Sequence, residues 1–239
     1  MRLPRQAILA VALSLAGAGL FTRLGFWQLR RLSERRAFNA HLEERLAAAP
    51  LPVTTLPADS AAGHFRRVTA SGVFDFEAQV VLTARSRSGS PGVHVLTPLL
   101  LAGGERVMVN RGWVYSEDAK TIDLARWRER EGDTVAVTGY AETWWGRDTS
   151  TVPGAPRAMR SLDSAGVATR VLSAVLPYYI VQTSDSANTN TRPVRLGEPV
   201  LDDGSHRSYA IQWFTFALIA VIGGSLLVRQ VLPGTTGRT

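Results

Sequence analysis

The side chains best suited to chemistry in this 239-residue chain are four histidines, His41, His64, His94 and His206, and no cysteine accompanies them. Disulfides, thiolate metal sites and cysteine nucleophiles are thereby excluded, and thiols carry no information about the redox compartment. His41, His64 and His94 stand far apart, each suited to a surface or a hydrogen-bonded core position. His206 sits in richer surroundings, Ser205-His206-Arg207-Ser208-Tyr209-Ala210-Ile211-Gln212-Trp213-Phe214. At about 100° per helical residue, seven steps bring Trp213 back beneath His206 on one face. An imidazole at a membrane surface above an indole within it offers a place for a flat, metal-bearing, apolar ligand. Tyr209, Trp213, Arg207 and His206 also suit an ordinary interfacial belt, the reading that spacing alone favours, and nothing in the spacing demands a ligand.

Other constellations are sparse. The chain has no GxGxxG or GxxxxGKS loop, no HExxH and no nucleophile elbow, which disfavours an anchored enzyme. Glu43-Glu44 and Asp202-Asp203 are adjacent pairs, unlike the spaced carboxylates of a glycosidase. Asn110-Arg111-Gly112-Trp113 is the most distinctive interior stretch. It reads either as a docking patch or as a strand end with a buried indole.

The elements that must carry these residues begin with the apolar ends. Residues 209–228 hold no charge; at about 1.5 Å per residue they reach roughly 30 Å, a bilayer core. At the other end a basic start precedes the apolar run 7–21, which admits two readings. A cleavable signal peptide would end at Ala18; an uncleaved span would cover 6–29, with Arg23 snorkelling, and length favours the span. Gly17 and Gly19 on the first span, and Gly223 and Gly224 on the second, are expected to let the two helices approach closely. Residues 30–49 read as an amphipathic extension resting on a folded domain, its Leu29, Leu32, Leu42 and Leu46 near helical spacing until Pro50 and Pro52 end it. Its charge run reads as a solvated face without a site of its own.

The net charge of +7 is concentrated at these ends. Residues 1–36 hold seven Arg and one Glu, residues 206–239 hold three Arg and no acid, and the middle is slightly acidic. The basicity therefore flanks membrane segments and argues against nucleic acid as a partner. Between the ends, residues 50–205 form one domain. Runs at 65–73, 78–84, 93–101, 106–113, 134–141 and 176–183 read as strands, with 93–101 and 106–113 as the strongest hairpin, turning at Ala102-Gly103-Gly104-Glu105. Short helices are expected at 123–130 and at 162–172, the latter capped by Asp163, and loops at 148–160 and 184–205. The predicted fold class is α+β and membrane-anchored: two transmembrane helices, 6–29 and 209–228, flank a small antiparallel β-rich barrel or sandwich with minor helices. A tail, 229–239, follows.

Four stretches in order carry a resemblance: Leu24-Gly25-Phe26-Trp27-Gln28-Leu29-Arg30-Arg31, Gly92-Val93-His94-Val95-Leu96-Thr97-Pro98-Leu99, Val109-Asn110-Arg111-Gly112-Trp113-Val114, and His206 with Tyr209-Ala210-Ile211-Gln212-Trp213-Phe214. Over about residues 6–230 the chain resembles the surfeit locus protein one family. The resemblance implies a non-enzymatic assembly factor for haem-copper (aa3-type) cytochrome c oxidase, a respiratory chaperone in the bacterial inner membrane with its central domain on the periplasmic side. It implies haem a as the bound group, oxidase subunit I as the recipient, and haem a synthase as a further candidate partner. His206 would be the iron ligand, with Trp213 and Tyr209 as nearby aromatics. Arg207, Arg23 or Arg30 would face the propionates, Arg207 foremost. Ser205-His206-Arg207 departs from the family's usual Asn-His or Arg-His pair followed by Leu. The alternative is a scaffold that binds no haem and holds oxidase subunits through the β domain and Asn110, Arg111, Gly112 and Trp113. Counting arginines around the first span would put the domain in the cytoplasm, opposite to what the resemblance implies.

Overall fold

A computed structural model describes residues 4–57, 60–128, 130–144, 152–171, 174–183 and 192–231. The chain divides into two compact units, one built from residues 1–42 with 201–239 and the other from 43–200.

The first unit consists of two helices. Helix α1, Arg5–Ala47, runs unbroken through Ala18 and Arg23, so the apolar segment and its polar extension are one helix. At about 1.5 Å per residue it is roughly 65 Å long, about twice a bilayer core. Both α1 and the C-terminal helix His206–Val231 are long and apolar enough to cross a membrane. In α1 the residues shielded from solvent include Ala7, Ala18, Gly25, Gln28, Leu32 and Asn39, whose separations are sums of threes and fours. In the C-terminal helix they are Ala210, Ala217 and Gly224, at intervals of seven. Such a pattern makes a narrow coiled-coil-like seam, here lined largely by small residues. A Cβ on Gly25 would stand 2.7 Å from the Phe214 ring, and one on Gly224 would stand 2.2 Å from Ser14 Oγ. The close approach is therefore made by Gly25 and Gly224. Gly17 has only Phe21 of its own helix at contact distance, and Gly19 and Gly223 face open space. The expectation for those three is corrected: spacing showed small residues but not which of them point along the seam.

The second unit is a β domain. Its elements are β1 (Leu51–Pro52), α2 (Ser60–Gly63), β2 (Arg67–Phe74), β3 (Val80–Arg87), β4 (Ser90–Leu101), β5 (Arg106–Tyr115), β6 (Thr134–Thr143), β7 (Ala158–Met159), α3 (Ser164–Val171) and β8 (Tyr178–Gln182). We number the C-terminal helix α4. The eight strands form one sheet in the order β1-β2-β6-β8-β5-β4-β3-β7. β2 pairs a second time, with β4 through Gly72–Phe74, so β2, β6, β8, β5 and β4 are linked pair by pair in a cycle. The pairing is mixed rather than antiparallel throughout, because β1 with β2, β3 with β7 and β5 with β8 run parallel. Val68, Leu99, Val107, Val109, Ala141 and Ile180 are fully shielded and fill the main core.

Local chemistry accounts for the turns. Ser88 and Gly89 take φ of 49° and 80°, as a tight two-residue hairpin between β3 and β4 requires. Asp163 accepts a hydrogen bond from the Gly166 amide at 2.7 Å and so caps α3. The segment expected as a helix at 123–130 is a single 3₁₀ turn, Leu124–Trp127, capped by Asp123. Parts of the two expected loops, 148–151 and 184–191, lie outside the described residues, as do residues 1–3 and 232–239 of the two ends.

Candidate functional site

The histidines come out differently from one another. His41 is exposed. His64 Nε2 lies 2.7 Å from Glu142 Oε1, and the ring stacks on Phe65 at 4.1 Å. His94 Nδ1 shares a 3.3 Å hydrogen bond with Asn110 Nδ2, and burial followed by the charge of Arg85 holds its pKa down at about 4. His206 alone stands at the start of a long apolar helix.

His206 opens α4, where the backbone is set by the Asp202-Asp203-Gly204 turn. That turn is fastened to α1. Asn39 Nδ2 donates to the Asp202 carbonyl at 2.7 Å, Arg35 Nε donates to the same oxygen at 3.3 Å, and Arg36 pairs with the Asp203 carboxylate at 2.8 Å. The Arg36 partnership holds Asp203 below the usual carboxylate range. Residues 35–39 thus do more than form a solvated face: they fix where α4 begins.

The imidazole is held from α1 as well. His206 Nδ1 and Gln28 Oε1 are 2.8 Å apart, and Gln28 is 8% exposed. With the amide oxygen as acceptor, Nδ1 carries the proton and Nε2 keeps its lone pair. Gly204 lies beside the ring: a Cβ there would stand 3.8 Å from Nε2, in ordinary contact with it. A recess of about 470 Å³ adjoins the imidazole, lined by Arg31, Glu34, Arg35 and Phe38 of α1 and by Asp202, Gly204 and His206. Among the described residues no three His, Asp or Glu side chains gather around a common point. One imidazole beside a recess suits a macrocycle that brings its own four nitrogens and needs only an axial ligand. Two guanidinium groups line the recess as well, Arg31 paired with Glu34 at 2.7 Å and Arg35 bonded to the Asp202 carbonyl, and such groups can pair with carboxylates.

The other sequence-derived residues are spread out. Trp213 lies two turns beyond His206, stacked on Phe21 at 5.8 Å and edge-on to Phe216 at 5.9 Å. Tyr209 and Arg207 are exposed, and neither borders the recess. Gln28, Arg31, Arg35 and Gly204 were not singled out by sequence reasoning. The available signal was Gln28 itself, an amide between Trp27 and Leu29 at the end of an apolar run.

Asn110, Arg111 and Trp113 are buried, at 3%, 0% and 9% exposure. Opposite β4, Val95 pairs with Gly112 and Leu96 with Asn110, so Arg111 is the extra residue of a bulge. The bulge lets two successive side chains turn inward. Arg111 donates to Gln79 Oε1 at 3.2 Å and to the Trp127 carbonyl at 2.8 Å, and it lies over the rings of Phe74 and Phe76 at 5.1 Å. Gly112 takes φ of 128°, and a Cβ there would meet the Val194 carbonyl at 2.2 Å. Trp113 and Val194 exchange two backbone hydrogen bonds of 2.7 Å. Of the two readings of this stretch, these contacts favour the internal one.

Comparison with known proteins extends the picture. The model of the SURF1 family matches residues 15–218, a span that includes both Gln28 and His206. The chain is similar to an uncharacterized SURF1-like protein of Mycobacterium tuberculosis, 28% identical over 219 residues, 85% of this chain and 76% of the relative. It is similar to Surfeit locus protein 1 of Arabidopsis thaliana, 36% identical over 125 residues, 47% of this chain and 33% of that protein. It is also similar to the cytochrome oxidase assembly protein SHY1 of Saccharomyces cerevisiae, 30% identical over 97 residues, 39% of this chain and 25% of the yeast protein.

Proposed function

Since the chain belongs to the SURF1 family, we propose that it is a membrane-anchored assembly factor for a haem-copper cytochrome c oxidase. In this reading it binds haem a through His206 and passes it to subunit I. The yeast relative, a cytochrome oxidase assembly protein, supports the oxidase part. The observation that carries the haem part is His206, tied to Gln28 through Nδ1 and lining a recess that Arg31 and Arg35 also line.

Each residue then has a task. His206 would hold the iron through Nε2. Arg31 and Arg35 pair with the propionates at the water boundary, with Arg207 as a more exposed third partner. Trp213, with Phe21 and Phe216, offers an aromatic wall two turns further along α4 for the apolar tail. The iron arrives with the cargo, so the protein's contribution is grip, orientation and release. Haem a synthase is the natural donor in this scheme. The scaffold alternative, docked through Asn110, Arg111, Gly112 and Trp113, draws less support, because three of those side chains are inside the β domain.

The test is an absorption spectrum of the full chain purified from cells that make haem a, beside His206→Ala. Haem a should accompany the wild type and be lost from the variant while far-UV circular dichroism is unchanged. Equal haem content in both would remove His206 as the ligand, and none in either would favour the scaffold.

A further inference from the structure

Gln28 occupies a seam position where its neighbours in the series are Ala18, Gly25 and Leu32. An amide buried among such residues is costly unless it finds a partner, so its presence calls for one. Here the partner is a single atom, His206 Nδ1 at 2.8 Å, reached across 178 residues of sequence. Neutral imidazole has two tautomers, and the hydrogen bond at one nitrogen decides which nitrogen keeps a lone pair. A metal-binding histidine needs its outer nitrogen bare, and a carbonyl-type acceptor on the inner nitrogen supplies that condition and raises the basicity of the ligating atom.

We infer that Gln28 is the positioning residue of the His206 site: its amide oxygen fixes the Nδ1–H tautomer and aims Nε2 into the recess lined by Arg31 and Arg35. This rests on the reading of His206 as an iron ligand, although the tautomer itself can be measured without any haem. Gln28 touches no cargo in this scheme and acts only through His206. A purely structural tie between α1 and α4 would need the hydrogen bond but would be indifferent to which ring nitrogen is bare.

The experiment uses the full chain in detergent micelles, labelled with ¹⁵N-histidine, at about pH 8, above the ordinary imidazole range. His206 is identified by the signals lost in His206→Ala. In the wild type its Nδ1 should carry the proton and Nε2 should show the shift of an unprotonated nitrogen. Gln28→Glu, which keeps an acceptor oxygen, should retain that pattern, and Gln28→Leu should shift the ring to the other tautomer or a mixture. Titration with ferric protoporphyrin IX should then show about tenfold or more weakening in Gln28→Leu and restoration in Gln28→Glu. A proton on Nε2 in the wild type overturns the inference even if neither variant folds. So does an unchanged tautomer in a folded Gln28→Leu. A wild type with the expected tautomer that acquires no haem a in vivo would support the positioning role and overturn the proposed function.

Discussion

Among the described residues Arg111 is the largest side chain fully closed off from water, and it shows how one residue can organise a domain. Its Nη1 lies within hydrogen-bond distance of Gln79, Thr97 and the Trp127 carbonyl, while the guanidinium plane lies over Phe74 and Phe76. Arg111→Met should therefore cost about 3 kcal/mol in chemical denaturation of the full chain, because Gln79 and Thr97 would stay buried with a partner removed. A loss under about 1 kcal/mol would show that the cluster repacks. His94 makes a pH prediction. Its folded pKa is lowered to about 4 from an ordinary 6.5, so the unfolded chain takes up the proton first. Stability is fully present above about pH 6.5 and falls as pH drops toward 4, by up to about 3 kcal/mol. In His94→Gln the stability difference between pH 7.5 and 4.5 should shrink by a comparable amount, and an unchanged difference would assign the slope to other groups.

At the scale of elements, the pairing of α1 with α4 depends on where small residues fall. Gly25→Leu should push against the Phe214 ring and lower the thermal midpoint of the micelle-embedded protein, while Gly19→Leu, facing open space, should leave it nearly unchanged. Equal effects would place the seam elsewhere. The individual strands were legible, since alternation and β-branched runs brought 134–141 and 106–113 within two residues of β6 and β5. The strand at 176–183 was legible too, but its parallel pairing with β5 across more than sixty residues was not, nor was β7, which is only two residues long and pairs with β3. The bulge at Arg111 was likewise hidden. A strict two-residue period would have sent Asn110 and Arg111 to opposite faces.

For the whole molecule, two helices long and apolar enough to cross a membrane flank the β domain in sequence, and the proposed anchoring would put both termini on the side opposite that domain. Arginine counts around the first span favour a cytoplasmic domain and the family resemblance favours a periplasmic one. Alkaline phosphatase fused after residue 150 should be active, and a fluorescent protein at the N-terminus should be fluorescent; the opposite pair of results would invert the orientation. The candidate site was half legible. His206 stood out because it opens an apolar run, but Gln28, Arg31 and Arg35 are recognised only once α1 and α4 lie side by side. That pairing repeats every seven residues in α4, with Ala210, Ala217 and Gly224 on one line. It follows that the anchor is sensitive to phase more than to composition. Deleting one residue between Ala18 and Gly25 would rotate all that follows by about 100° and carry Gln28 off its imidazole, though every side chain survived. Adding a whole heptad at matching heights in both helices would lengthen the anchor and keep the two in step.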